Sequence, residues 1–372
     1  GSLPIDKITA KGQYVIINTK EPYPELKSEL ASPFAAIYDT QAKGKVSDQP
    51  VGTGPYQIDK YQRSQKIQLS KYKDYWQGTP KLSKINVTYH EDGNTRVNHL
   101  LSGKSDLTTD VPIDQINDIK KSNKANIQST SDFRTHLLLY NHDSKKMNKN
   151  VREAFDAVIN RKEIAKNVSK NYAKPASGPF NDRLKHIKDG KVQPQDINKA
   201  RKLLAKEGYT KDHPLKFNIV TYDGRPELPK IGQVIQSEAK KANIDVKLRN
   251  VDDIEGYLKD KDAWDASMYS YLTVPRGDTG YFFNTAYLPK GANNKGNYNN
   301  KEVTQQIKQL NQTFGQSERE QLTNQILKTS DKDIPNSYIT YNDQIDGVSK
   351  NVKNFNVTPE SIYLIDYKVD KK

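Results

Sequence analysis

The stretch LKFNIVTYDGRPELPKIGQVIQSEAKKANIDVKLRN, residues 215–250, decides the fold class. Within it Phe217–Thr221 reads as a strand, Pro229–Ala242 as a helix and Asp245–Leu248 as a second strand. Strand, helix and strand in that order make a βαβ unit, because parallel strands need a long crossover, and the expectation is a mainly parallel sheet in an α/β chain.

The pattern extends in both directions. Upstream, 150–159 and 161–169 read as a helix pair, and 195–207 as a helix stopped by Gly208. Downstream, a strand at 265–272 runs into Val274-Pro275-Arg276-Gly277-Asp278. Ligands of open α/β sheets sit at the carboxyl ends of strands, so that loop lies where binding groups are expected. Helices follow at 301–314 and 317–330, then strand-like segments at 337–341, 353–357 and 362–366. The first part of the chain is also strand-rich, at 13–19, 66–70 and 84–90, with Ile85, Val87 and Tyr89 on one face, before a short helix at 94–102 ended by Gly103. A chain that leaves one lobe, builds another and returns is joined by two crossing strands, an arrangement that permits hinge closure. The expected division is lobe I over 1–140, lobe II over 141–337 and a return to lobe I over 338–372.

Composition narrows the classes. The 372 residues are long for one compact domain, and only 34% are hydrophobic, yet 22 tyrosines and runs such as Tyr14-Val15-Ile16-Ile17 and Leu137-Leu138-Leu139 speak for a folded chain. The formal charge of +14 raises nucleic-acid binding, but the lysines are scattered in ones and twos beside Asp or Asn rather than gathered in a stripe with aromatics. A solvated basic surface is the plainer account, with attraction to an anionic envelope compatible with it. Without cysteine there are no disulfides and no thiolate metal sites. No apolar run approaches the roughly 18 residues of a membrane span. Gly1-Ser2 reads as a cloning scar or cut end, so the lack of an export signal carries no information about location.

Several stretches, in order, carry a resemblance: VGTGPYQI at 51–58, KYKDYWQGTPKLSKI at 71–85, TRVNHLLSGKSDL at 95–107, LYNHDSKKMNKNVREAFDAVINRKEI at 139–164, NKARKLLAKEGY at 198–209 and WDASMYSYLTVPRGD at 264–278. The glycines of VGTGPY allow a turn and Pro55 fixes the strand entry, which is scaffold chemistry. Tyr75-Trp76, followed at once by Gly78 and Pro80, reads as a core or lobe-surface anchor before a ligand platform. Together these stretches resemble the family 5 extracellular solute-binding proteins. The resemblance implies a two-lobed, type II periplasmic-binding-protein-like α/β fold, here with the first lobe incomplete, because the stretch that ordinarily precedes the counterpart of Asp6–Lys20 is missing. It also implies a monomeric substrate-binding component of an ABC importer, extracellular and lipid-anchored in the full-length protein, whose partners are a small-molecule ligand and a membrane permease rather than nucleic acid.

Similarity places 134–141, 273–283 and part of 221–226 around an interlobe cleft, which nominates Arg134, Arg276, Tyr281, Thr273, Asp278 and Tyr222 as ligand-binding residues. Arg134 opens an apolar strand and Arg276 follows Pro275; each is either a surface arginine or a two-pronged donor to a ligand carboxylate. Asp278 either meets a ligand amine or caps the following turn, and Tyr281 either walls the pocket or packs inside lobe II.

None of His90, His99, His136, His142, His186 and His213 forms an HxxxH or HExxH pair. On one strand, His136 and His142 would stand about 20 Å apart, too far to share an ion. No cofactor and no protein-bound metal site is expected; a metal would arrive inside a chelator. TVPRGDTGYFF at 273–283 is more similar to the nickel-type members, whereas LASPF at 30–34 lacks the arginine that some of them carry before Pro-Phe. A nickel–amino-acid chelate of the nickel–histidine type is therefore placed ahead of an oligopeptide or dipeptide as the ligand. An enzyme is not expected, since GxSxG and GxxxxGK are absent and no nucleophile with its base is visible. A hydrolase and a basic nucleic-acid-binding protein are the distant alternatives.

Overall fold

The computed structural model describes residues 3–43, 46–188 and 190–372, so the opening pair Gly1-Ser2 lies outside the described residues. The chain divides into two compact bodies, one of Gly1–Ala31 with Phe133–Asn342, the other of Ser32–Asp132 with Asp343–Lys372. The crossings fall inside two long strands, Ala125–Tyr140 and Asn336–Ser349. They lie at 132/133 and 342/343 rather than at 140/141 and 337/338. The first 31 residues group with the larger body rather than with lobe I. Ion pairs from Glu25 and Glu29 to Arg319 and Arg276 supply the physical tie.

In the larger body the sheet order is Ile244–Asn250, Leu215–Thr221, Ala266–Leu272, Ala125–Tyr140 and Asn336–Ser349, with Ala173–Pro175 added on the last strand. Leu215–Thr221 pairs in parallel with both of its neighbours, as the βαβ reading requires, and Glu227–Lys240 is the crossover helix. The sheet as a whole is mixed, not mainly parallel. Ala266–Leu272 runs antiparallel to Ala125–Tyr140, and Ala173–Pro175 antiparallel to Asn336–Ser349, because the strands that carry the chain into and out of this body are not part of a βαβ series.

Both faces of this sheet are covered, which explains its continuous apolar runs. Alternation along one strand sends Leu138 and Tyr140 to one side and Leu137 and Leu139 to the other. On the first side Phe155, Phe217, Ile231 and Ile235 pack with them; on the second, Trp264, Phe282, Phe283 and Tyr287 do. The helix Lys149–Val158 presents Val151, Ala154, Phe155 and Val158 inward, and its first free N–H groups are met by Asn148, whose side chain accepts from Val151 N at 3.0 Å. Asn148→Ala should therefore cost about 1 kcal/mol in a urea melt; no change would mean that water replaces the cap without loss.

The expected helix at 161–169 is a short turn, Arg161–Glu163, widened into a π-turn over Ile164–Val168. The smaller body holds a three-stranded antiparallel sheet of Tyr56–Gln62, Lys66–Lys71 and Lys84–Thr88, and the helix Gly93–Leu101. The expected strand at 362–366 does not form. Pro359 starts a 3-10 turn in which Glu360 and Ser361 have φ of 53° and 50°, and this left-handed pair breaks extended backbone before Ile362. The expected strand at 353–357 shrinks to Val352–Lys353, paired with Asp370–Lys371. Trp76 is 76% exposed and meets the Tyr75 ring edge-on at 5.9 Å, while Tyr75 also packs on the ring of Tyr367 at 5.6 Å.

Candidate functional site

Strand register builds the first group. Antiparallel pairing sets Leu272 opposite Arg134 and Ser270 opposite His136. Arg134 and His136, two residues apart, share a face and converge on one hydroxyl: Arg134 Nη1 donates to Ser270 Oγ at 3.4 Å, and His136 Nδ1 lies 3.0 Å from it. The neighbouring strand Leu215–Thr221 delivers Tyr222 and Arg225 in the turn that precedes the helix Glu227–Lys240. Burial and the nearby positive charges of Arg225 and Arg134 hold His136 well below the usual histidine range, so its imidazole is neutral at pH 7. Burial raises the Tyr222 phenol, while Arg225 and Arg134 pull it the other way. Glu227 Oε2 stands 4.0 Å from His136 Nε2. The guanidinium groups of Arg134 and Arg225 thus both act on the Tyr222 phenol and on the buried, neutral imidazole of His136.

The second group lies on the loop after Ala266–Leu272. Arg276 Nε is 2.9 Å from Glu29 Oε2, close enough for an ion pair without the alignment of a hydrogen bond, and the guanidinium stands 5.5 Å from the ring centre of Tyr281. Asp278 Oδ1 accepts from Gly280 N and from Arg319 Nη2, both at 2.7 Å. Arg319 Nη2 also lies 3.5 Å from Glu25 Oε1. A Cβ at Gly280 would meet Glu25 Oε1 and Asp278 Oδ1, so a larger residue there would have to push those carboxylates aside. Burial, then Asp278, push the Glu25 carboxyl up to about 7 against the opposing pull of Arg319. Burial with Glu29 and Glu25 pushes the Tyr23 phenol up to about 12.

Five of the six residues expected to bind ligand thus fall into two sets, Arg134 with Tyr222, and Arg276 with Tyr281 and Asp278. Thr273 differs: it is 1% exposed, and both its N–H and its hydroxyl donate to Phe133 O, at 2.9 and 3.1 Å, so it ties two strands together instead of facing a ligand. Sequence reading did not single out Arg225, Glu29, Glu25 and Arg319, and it weighed His136 only as a metal ligand. Arg225 was within reach, lying in the 221–226 loop already singled out. The acidic pair was not, because residues 21–31 give no sign of folding against a loop 250 positions away.

The six histidines do not assemble around either set. His142 lies past the end of its strand, with Nε2 2.9 Å from Pro335 O, and burial with Arg152 lowers it to about 4. A cavity of about 260 Å³ elsewhere in the larger body is lined by Glu153, Asp156, Arg161, Lys199 and Tyr338. Arg161 there is 4% exposed, and its guanidinium is held by Tyr338 O at 2.6 Å and Asp156 Oδ1 at 2.5 Å, which is the behaviour of a structural cation. No helix among the described residues is long and apolar enough to cross a membrane.

Residues 2–294 match the family described as bacterial extracellular solute-binding proteins, family 5 middle. The nickel-binding protein NikA of Staphylococcus aureus is 59% identical over 367 residues, covering 99% of this chain and 75% of the relative. A crystal structure of that protein in complex with Ni(L-His)2 superposes with a TM-score of 0.84 over 100% of this chain and 80% of the other. The crystal structure of a nickel ABC transporter protein from Bacillus halodurans gives a TM-score of 0.85 at 34% identity, over 99% of this chain and 79% of that one. The chain is a member of the family 5 bacterial extracellular solute-binding proteins.

Proposed function

We propose that this chain captures a nickel–histidine-type chelate for an ABC importer, holding the carboxylates of the chelating amino acids with guanidinium groups. The single observation that carries the reading is the 59% identity, over nearly the whole chain, to a protein crystallised with Ni(L-His)2. The chemistry of the first group fits it. Arg134 and Arg225 supply planar donors beside the Tyr222 hydroxyl, suited to carboxylates, while the metal keeps the nitrogen ligands it arrived with. Arg276 and Tyr281 form the second, weaker part of the same recognition surface. The chain acts as a monomeric receptor and not as an enzyme, delivers its cargo to a membrane permease, and is lipid-anchored at the outer face of the membrane in the full-length protein.

Differential scanning fluorimetry tests the ligand directly. Nickel with histidine is expected to stabilise the chain by about 2.7 kcal/mol at a concentration of about 100 times the dissociation constant, and by more than nickel alone or histidine alone at the same concentrations. Stabilisation by a short-peptide library instead would replace the chelate with an oligopeptide. Size-exclusion chromatography at micromolar concentration checks the monomer.

A further inference from the structure

His90 and His99 are nine positions apart and belong to different elements, one in the turn after Lys84–Thr88, the other in the last turn of Gly93–Leu101. The smaller body nevertheless brings their rings to a centroid separation of 4.6 Å with planes at 89°. Both are half-buried, so each ring keeps access to solvent.

The pair is held by its surroundings. Arg96, on the same helix as His99, donates Nη1 to His90 O and to Glu91 O, both at 2.8 Å, and Nη2 to Asp110 O at 2.9 Å. Asp92 caps the helix, accepting from Thr95 N at 2.8 Å and from Thr95 Oγ1 at 2.7 Å. Buried Val97 and Leu100 fix the helix's rotation. The segment that bears His90 is therefore clamped to the helix that bears His99, so the backbone holds the two side chains within reach of each other.

That distance has a chemical meaning. With metal–nitrogen bonds of about 2.0–2.1 Å and a ring centre about 1.1 Å behind each nitrogen, two imidazoles at right angles around one ion have centroids about 4.5 Å apart, against about 5.2 Å at a tetrahedral angle. The observed separation matches the right-angle case, the geometry of square-planar, tetragonal or octahedral ions. Among first-row divalent ions, nickel and copper favour such nitrogen sites by both geometry and affinity order.

We propose that His90 and His99 form a two-imidazole site for a bare late first-row divalent cation, Ni2+ or Cu2+, with water in the remaining positions. The site belongs to the smaller body and takes the ion directly, so it does not depend on the guanidinium groups proposed for the chelate.

Equilibrium dialysis of the full chain against nickel chloride, in buffer free of amino acids, reads the site. His90→Gln and His99→Gln are each expected to weaken one equivalent of Ni2+ at least tenfold, since even changes to residues supporting a metal ligand cost about 10–100-fold. His186→Gln and His213→Gln, at exposed positions elsewhere, should leave that equivalent unchanged. Electron paramagnetic resonance of the Cu2+-loaded wild-type chain, which needs no variant to fold, should detect two imidazole nitrogens on one ion. A spectrum with one or none, or nickel binding unchanged in both variants, would overturn the proposal and leave the pair as an aromatic contact only.

Discussion

Replacing Arg134 with alanine is expected to weaken binding of a nickel–histidine chelate by about 2–5 kcal/mol, roughly 30-fold to several-thousand-fold, the usual cost of removing one side of a desolvated charge pair. The unliganded melting point is expected to hardly move. Arg276 should behave differently. Its guanidinium already faces Glu29 at 2.9 Å, so a ligand carboxylate has to compete with an internal one. Arg276→Ala should therefore cost less than that full range, and Glu29→Gln should tighten binding by removing the competitor. Isothermal titration of the three variants separates the roles. Loss of unliganded stability in Arg134→Ala with affinity intact would make that arginine structural, and weaker binding in Glu29→Gln would mean that Glu29 orients Arg276 for the ligand rather than occupying it.

The contrast between the two arginines shows how far the sequence could be read. Periodicity located the strands and the crossover helix because a sheet covered on both faces forces long apolar runs, as at Leu137–Tyr140. The strand end before Arg276 followed from the same signal. Sheet polarity did not, since an apolar run is the same for a parallel and an antiparallel neighbour, and the direction of Ala266–Leu272 against Ala125–Tyr140 depends on where the chain crosses between bodies. The partners of each charge were hidden for a related reason. Arg319 looks like one more cation on an amphipathic helix, yet it donates to Leu310 O at 2.6 Å, to Thr313 O at 3.0 Å and to Asp278 Oδ1 at 2.7 Å. Spacing rules for metal pairs assume that both ligands sit on one element, which is why they passed over His90 and His99 while they examined His136 and His142.

Glu25 offers the other large effect, and its sign can be worked out. Its folded carboxyl is raised from 4.5 to about 7, by burial first and by Asp278 next. Between those values the folded chain holds a proton that the unfolded chain has released, so stability is fullest below the unfolded value and falls as pH rises towards 7. The whole difference is on the order of 3 kcal/mol. Two buried histidines act in the opposite sense over part of the same range: His142 is lowered to about 4 and His136 well below its ordinary value, so their contribution grows as pH rises towards the ordinary histidine range. The wild-type profile alone would mix these effects. Urea melts of Glu25→Gln and wild type, compared from pH 4.5 to 8, isolate the carboxyl, because the histidines cancel in the difference. The variant should match wild type near pH 4.5 and exceed it progressively up to about pH 7, with a constant margin above. Parallel profiles at every pH would mean that the Arg319 guanidinium, 3.5 Å away, already offsets the burial of this carboxylate and the neighbouring charge of Asp278.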